Sequence, residues 1–127
     1  MKTINKILTN GEIYNLAMHL SNSFVDNELY LPAAVNYSIQ KNKTIISELA
    51  QEIEQHRINI IYHYGEVLED GNIKVPEDKV NEANKEINDL LLIEQELKLY
   101  TFKIEEIADV QLTSAQMSSI MFMIEEE

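Results

Sequence analysis

The sequence predicts a mainly α fold with a small β element. The expected α+β domain is a long antiparallel helical hairpin with N- and C-terminal helices and a short sheet. Three observations carry that expectation. Glycine (3) and proline (2) are scarce in 127 residues, which favours long regular elements over turn-rich β architecture. Apolar residues recur in steps of three and four over residues 35–60 and again over 80–94, the spacing of one helical face. Near residue 97 the period changes to two, which belongs to a strand.

Thr9-Asn10-Gly11-Glu12 has the form of a capping box, in which Thr9 accepts from an amide of the first turn and Glu12 reaches back to the cap. Ile13, Leu16, Ala17, Leu20 and Phe24 follow at helical spacing, so a first helix is expected from about Asn10 to Phe24, broken by Asp26-Asn27-Glu28. Pro32 suits the opening of a second helix. Val35, Ile39, Asn42, Ile46, Leu49, Ile53, His56 and Ile60 form a heptad-like stripe with Asn42 and His56 as polar interruptions. This helix is expected to reach about Tyr64, with Gly65 as a C′ stop. At about 31 residues it is roughly 46 Å long and needs packing partners along its length.

Asp70-Gly71 between Val67-Leu68 and Ile73-Lys74-Val75 reads as a small hairpin or tight turn. Pro76-Glu77-Asp78 suits a helix start with acids in the first turn. Val80, Ala83, Ile87, Leu90, Leu91 and Glu94 give a third helix antiparallel to the second. At about 18 residues it is too short to cover the second. The first helix or a second copy of the chain is therefore expected to cover the remainder, with His56 (partly buried), Ile60 and His63 near that contact. Leu97, Leu99 and Thr101 alternate with Lys98, Tyr100 and Phe102, so a strand is expected over Lys98–Ile104. Its partner is either Lys2–Leu8 or the Asp70-Gly71 hairpin. Thr113-Ser114-Ala115-Gln116 is a second capping box, and Met117–Ile124 is the last helix.

The length fits one domain spanning 1–127. There is no Cys, which excludes a disulfide framework, a thiolate zinc site and a Cys nucleophile. The opening MKTINKILTN has no continuous apolar stretch, so no signal peptide is expected. No apolar run approaches the length of a membrane span. Net charge is −12 and uneven: five basic and six acidic residues precede Glu66, while five basic and sixteen acidic residues follow from it, a net of −11. Phosphate binding needs clustered Lys and Arg, so direct nucleic-acid contact is not expected, and an anionic membrane would repel the second half. The ordinary reading of such charge is a solvated face; the sharper one is a surface that steers a basic partner.

No catalytic or cofactor motif emerges. Glu52, His56 and His63 share one helix face, but no other segment supplies a histidine in register for a metal, and His19 would meet them only by chance of packing. Arg57-x5-His63 resembles the spacing of HEPN-type ribonucleases, yet six helical residues turn about 600°, leaving the pair about 120° apart. Glu105, Glu106 and Asp109 lack a calcium-loop pattern. The last helix is the most informative segment. Met117, Ile120, Met121 and Ile124 make one face and Phe122 and Met123 widen it, while Glu125-Glu126-Glu127 oppose the helix dipole. The ordinary meaning of such a stripe is core; soft, adaptable methionines beside a disfavoured end make the helix a candidate interface as well. The candidate partner-binding residues are Glu82, Glu86, Asp89, Met117, Met121 and Phe122.

Leu8-Thr9-Asn10-Gly11-Glu12-Ile13-Tyr14-Asn15-Leu16, Leu31-Pro32-Ala33, Tyr37-Ser38-Ile39-Gln40-Lys41-Asn42-Lys43 and the terminal Leu112-Thr113 to Ile124-Glu125-Glu126 resemble a family of small phage and prophage proteins of Gram-positive bacteria, a domain of unknown function. The likeness spans nearly the whole chain. It implies a phage-encoded protein in the cytoplasm of an infected bacterium, and it brings no active site. The reading that joins charge, architecture and resemblance is a binding protein without a cofactor, directed at a host or phage protein with a basic surface. A host defence or nucleic-acid-processing factor is the foremost candidate. The alternatives are a phage assembly protein that self-associates and a small helical nuclease-like enzyme.

Overall fold

The computed structural model describes residues 2–24 and 29–125. The proposed helix break at Asp26-Asn27-Glu28 and the acids Glu126 and Glu127 lie outside the described residues. The chain forms β1 (Thr3–Thr9), α1 (Asn10–Ser23), α2 (Ala33–Tyr64), a hairpin of β2 (Glu66–Val67) and β3 (Ile73–Lys74), a 3-10 turn (Glu77–Lys79), α3 (Val80–Leu92), β4 (Glu94–Tyr100), a second 3-10 turn (Ile104–Ile107), α4 (Ser114–Ile120) and a last 3-10 turn (Met121–Met123). It is a mainly α, α+β fold, with β1 and β4 paired antiparallel from Thr3↔Tyr100 to Thr9↔Glu94.

The long helix α2 is the spine. Its 32 residues extend about 48 Å, and three elements cover it in turn. β4 lies against its first half. There the Asn42 side chain donates from Nδ2 to Tyr100 O at 2.8 Å and accepts from Tyr100 N–H at 2.8 Å, and Tyr37 meets the Tyr100 ring edge-on at 6.0 Å. α1 packs along its middle and α3 along its last turns. α3 is antiparallel to α2: its last turn abuts the start of α1, where Asn10 Nδ2 donates to Leu90 O at 2.9 Å, while the β2–β3 hairpin joins its first turn to the end of α2. Cover for the long stripe thus comes from α1, one of the two covers expected, and from the sheet. The core between these layers is Leu8, Ile13, Leu20, Val35, Ile39, Ile46, Ile53, Leu97, Leu99, Phe102, Ile107, Ile120 and Met123.

Both capping boxes form. Glu12 N–H donates to Thr9 Oγ1 at 3.1 Å and Thr9 N–H to Glu12 Oε1 at 3.0 Å; Gln116 and Thr113 repeat the exchange at 3.1 and 2.9 Å. Several boundaries differ from expectation. The strand runs over Glu94–Tyr100 and not Lys98–Ile104, because α3 stops at Leu92 and Leu97 and Leu99 are the residues turned to the core. Phe102 is held beyond it by the C-terminal turn, donating to Met123 O at 3.0 Å and accepting from Glu125 N–H at 2.8 Å. α3 opens with a 3-10 turn, and the last α-helix starts at Ser114 and gives way to a 3-10 turn after Ile120. Gly65 follows α2 at φ −98°, so it is not a left-handed stop. It is needed for space: a Cβ there would clash with the Ile73 Cγ2 and sit 2.7 Å from Ile61 O.

His56 departs from expectation too. It is exposed, whereas Asn42, Ile46 and Ile53 on the same sequence stripe are buried. A 3.5-residue repeat drifts about 20° per heptad on a straight helix, so three heptads after Val35 the stripe has turned about 60° away from the core. Arg57, Ile60, Ile61 and Tyr64 are half-buried in the last turns.

Candidate protein-interaction surfaces

Three turns of α3 present one acidic stripe. Residues 82, 86 and 89 fall within about 60° of one another around a helix, and Glu82, Glu86 and Asp89 are all exposed while Ala83 points into the fold. Tyr64 Oη donates to Glu86 Oε1 at 2.9 Å. That hydrogen bond, followed by burial and the charges of Glu86 and Glu82, pushes the phenol of Tyr64 up. Among the described residues the one ion pair is Arg57–Glu54 on α2, so none of the three carboxylates has a cation within 4 Å. Their field faces solvent.

The three apolar candidates do not share that surface. α3 ends at the start of α1, whereas α4 begins at its far end, where Gln116 Nε2 donates to Ser23 O at 3.1 Å. The 14 residues of α1 hold the two places about 21 Å apart. The apolar candidates also separate from one another. Met117 faces a shallow cavity of 290 Å³ shared with Ile107, Val110 and Leu112. Met121, 57% exposed, and Phe122 line a groove of 560 Å³ together with Lys2 and Glu125 and, across from them, Ile4 and Lys6 of β1. The apolar turn therefore lies beside lysines and away from the acids of α3. Composition could not show this, because the groove joins residues more than 110 positions apart. The available signal was the pattern of Lys2-Thr3-Ile4-Asn5-Lys6-Ile7, basic and apolar by turns in a chain that is otherwise acidic.

The self-association candidates His56, Ile60 and His63 lie on one stripe of the last turns of α2, both histidines exposed and Ile60 half-buried. His63 packs edge-on to Tyr64, with ring centroids 4.8 Å apart. Arg57 is committed to Glu54, to which its Nε donates at 2.9 Å. That bond holds the Glu54 carboxyl below its ordinary range and raises the guanidinium. Arg57 and His63 sit on one unbroken helix and do not converge within the chain. No group of three or more metal-ligating side chains assembles among the described residues, and the Glu106 carboxylate caps its own 3-10 turn by accepting from Lys103 N–H at 2.7 Å. No helix is long and apolar enough to cross a membrane among those residues. The chain matches no protein-family model, no curated protein and no solved structure.

Proposed function

We propose that this chain is a small phage-encoded protein that acts in the cytoplasm of an infected bacterium by binding a host protein, with the acidic stripe of α3 meeting a basic surface. The observation that carries the reading is the exposed row Glu82, Glu86 and Asp89, none of them in an ion pair within 4 Å among the described residues, on a helix whose other side is fixed to α1 and α2. A rigid row of like charges steers an oppositely charged partner and repels wrong ones. Host defence and nucleic-acid-processing proteins carry basic surfaces for nucleic acid, and an acidic helix competes for such a surface without a catalytic group of its own.

The test is capture of partners from infected cells with the tagged protein, followed by association kinetics against the captured protein at low and at physiological salt. The wild-type on-rate is expected to fall steeply as salt rises, since exposed charges are screened beyond about 8 Å at physiological ionic strength. Glu82→Lys with Glu86→Lys is expected to lower the on-rate about tenfold or more and to change the off-rate little. A salt-independent on-rate, or wild-type kinetics in the double variant, would overturn the reading.

A further inference from the structure

The pairing of β1 with β4 leaves an edge of β1 open. Thr101 N–H donates to Lys2 O at 3.0 Å and Asn10 N–H to Ile93 O at 2.9 Å, which fixes the phase of the ladder. In an antiparallel pair, alternate residues exchange hydrogen bonds with the partner and the others point away. Ile4, Lys6 and Leu8 therefore bond β4, and the N–H and C=O groups of Thr3, Asn5 and Ile7 point to the opposite side. β4 has the same exposure at Tyr100, and there the Asn42 side chain fills both positions. On β1 the edge is closed at Thr9, whose N–H goes to Glu12. Thr3, Asn5 and Ile7 have no backbone hydrogen-bond partner on that side among the described residues.

This edge adjoins the groove. Ile4 and Lys6 stand opposite Leu99 and Leu97, so they lie on the core-facing side of the sheet. Leu99 is fully buried, whereas Ile4 opposite it is 41% exposed. The groove thus runs between the outer strand on one side and Met121 and Phe122 on the other. A strand laid beside β1 would place alternate side chains in the groove.

Charge selects which strand. An unpaired edge invites a second copy, but two β1 strands aligned antiparallel about Asn5 would bring their Lys6 residues to diagonal positions on one face. A lysine on the inward side of an edge strand discourages such pairing. Lys2 and Lys6 form no ion pair within 4 Å among the described residues; Glu125 shares the Lys2 end of the groove, and Lys6 stands at the other end. They are four residues apart, about 13 Å along a strand, which equals the separation of two acids four residues apart on a neighbouring strand. We infer that the open edge of β1 takes an extended segment of another protein, of the pattern acid–x–apolar–x–acid, as a third strand. Its acids meet Lys2 and Lys6, its central apolar side chain lies over Ile4 against Met121 and Phe122, and its backbone pairs with Thr3, Asn5 and Ile7. This is strand addition with pockets for alternate side chains. It does not rest on the α3 reading, since it uses a different surface and an oppositely charged partner.

The test is an NMR titration of the full isotope-labelled chain with the synthetic peptide acetyl-Thr-Glu-Thr-Leu-Thr-Glu-Thr-amide. Saturable shifts are expected at Thr3–Ile7 and Met121–Ile124, with the Asn5 and Ile7 amides gaining protection from exchange. A peptide with lysines in place of both glutamates is expected not to bind wild type. Lys6→Glu is expected to weaken the acidic peptide about tenfold or more, the scale of one charge-assisted contact, and to improve binding of the lysine peptide. Methylating the amides of alternate peptide residues is expected to abolish binding in one phase and spare it in the other. Absence of saturable shifts at β1, equal binding of both peptides, or indifference to the phase of methylation would overturn the inference. So would a peptide-free dimer by sedimentation in which the Asn5 and Ile7 amides are already protected, which would make a second copy the occupant.

Discussion

Asn42 shows how one polar residue on an apolar stripe fixes a tertiary contact. It is fully buried and occupies the two backbone groups of Tyr100 that a third strand would otherwise take. A buried amide is tolerated only because its hydrogen bonds are made. Asn42→Leu keeps the size and strands the N–H and C=O of Tyr100, so a loss of about 2 to 4 kcal/mol is expected in chemical denaturation. A stability within a few tenths of wild type would show that water or a shifted strand satisfies Tyr100 instead. Glu12 acts at the same scale through charge. The Thr9 amide, then the Thr9 hydroxyl, hold its carboxyl below the ordinary range. A carboxyl lowered by folding contributes stability that is complete above its unfolded value of about 4.5 and is lost as pH falls through the folded value. Glu12→Gln preserves the capping geometry and removes the titration. Its stability is therefore expected to decline less steeply below about pH 4.5 than that of wild type, as measured by denaturation across the acid range.

At the scale of the element, the C-terminal turn joins a buried and an exposed face in three residues. Met123 is fully buried and is tied to Phe102 through the backbone, whereas Met121 is 57% exposed two residues earlier. Met121→Glu is expected to leave the melting behaviour close to wild type, within about 0.5 kcal/mol, as surface changes generally do. Met123→Glu buries an unpaired carboxylate and is expected to cost about 4 kcal/mol or more, or to prevent folding. Circular dichroism melts of the two variants distinguish these outcomes. Equal destabilisation would mean that Met121 belongs to the core and that the groove beside β1 is closed.

At the scale of the whole molecule, charge is carried with almost no internal compensation. The net charge is −12, and the one ion pair among the described residues, Arg57–Glu54, is a local contact within α2. Self-repulsion then opposes the compact state, and salt screens it. The melting temperature is expected to rise from low to physiological ionic strength by about 2 to 5 °C, roughly 1 kcal/mol for a domain of this size. A fall over that range would mean that attractive surface pairs outweigh the repulsion.

The local grammar of this protein was legible in its sequence. Both capping boxes, the hairpin at Asp70-Gly71, the long helix ending at Tyr64 and the presence of a strand near residue 97 follow from interactions between near neighbours, which residue type and spacing encode directly. The acidic stripe of α3 was legible for the same reason, since three residues on one helix fix their own relative positions. Tertiary structure decided the rest. Leu97 and Leu99 took their inward places because β1, about 90 residues earlier, pairs with them and so set where the strand begins. His56 became exposed because a straight helix does not follow a heptad repeat through three turns of the pattern. The groove of Lys2, Ile4, Lys6, Met121 and Phe122 belongs to no single segment. It exists because the two residues that follow β4 bind both segments, Thr101 bonding Lys2 and Phe102 bonding Met123 and Glu125. Periodicity describes a segment against itself, and such a meeting depends on which segments pack side by side.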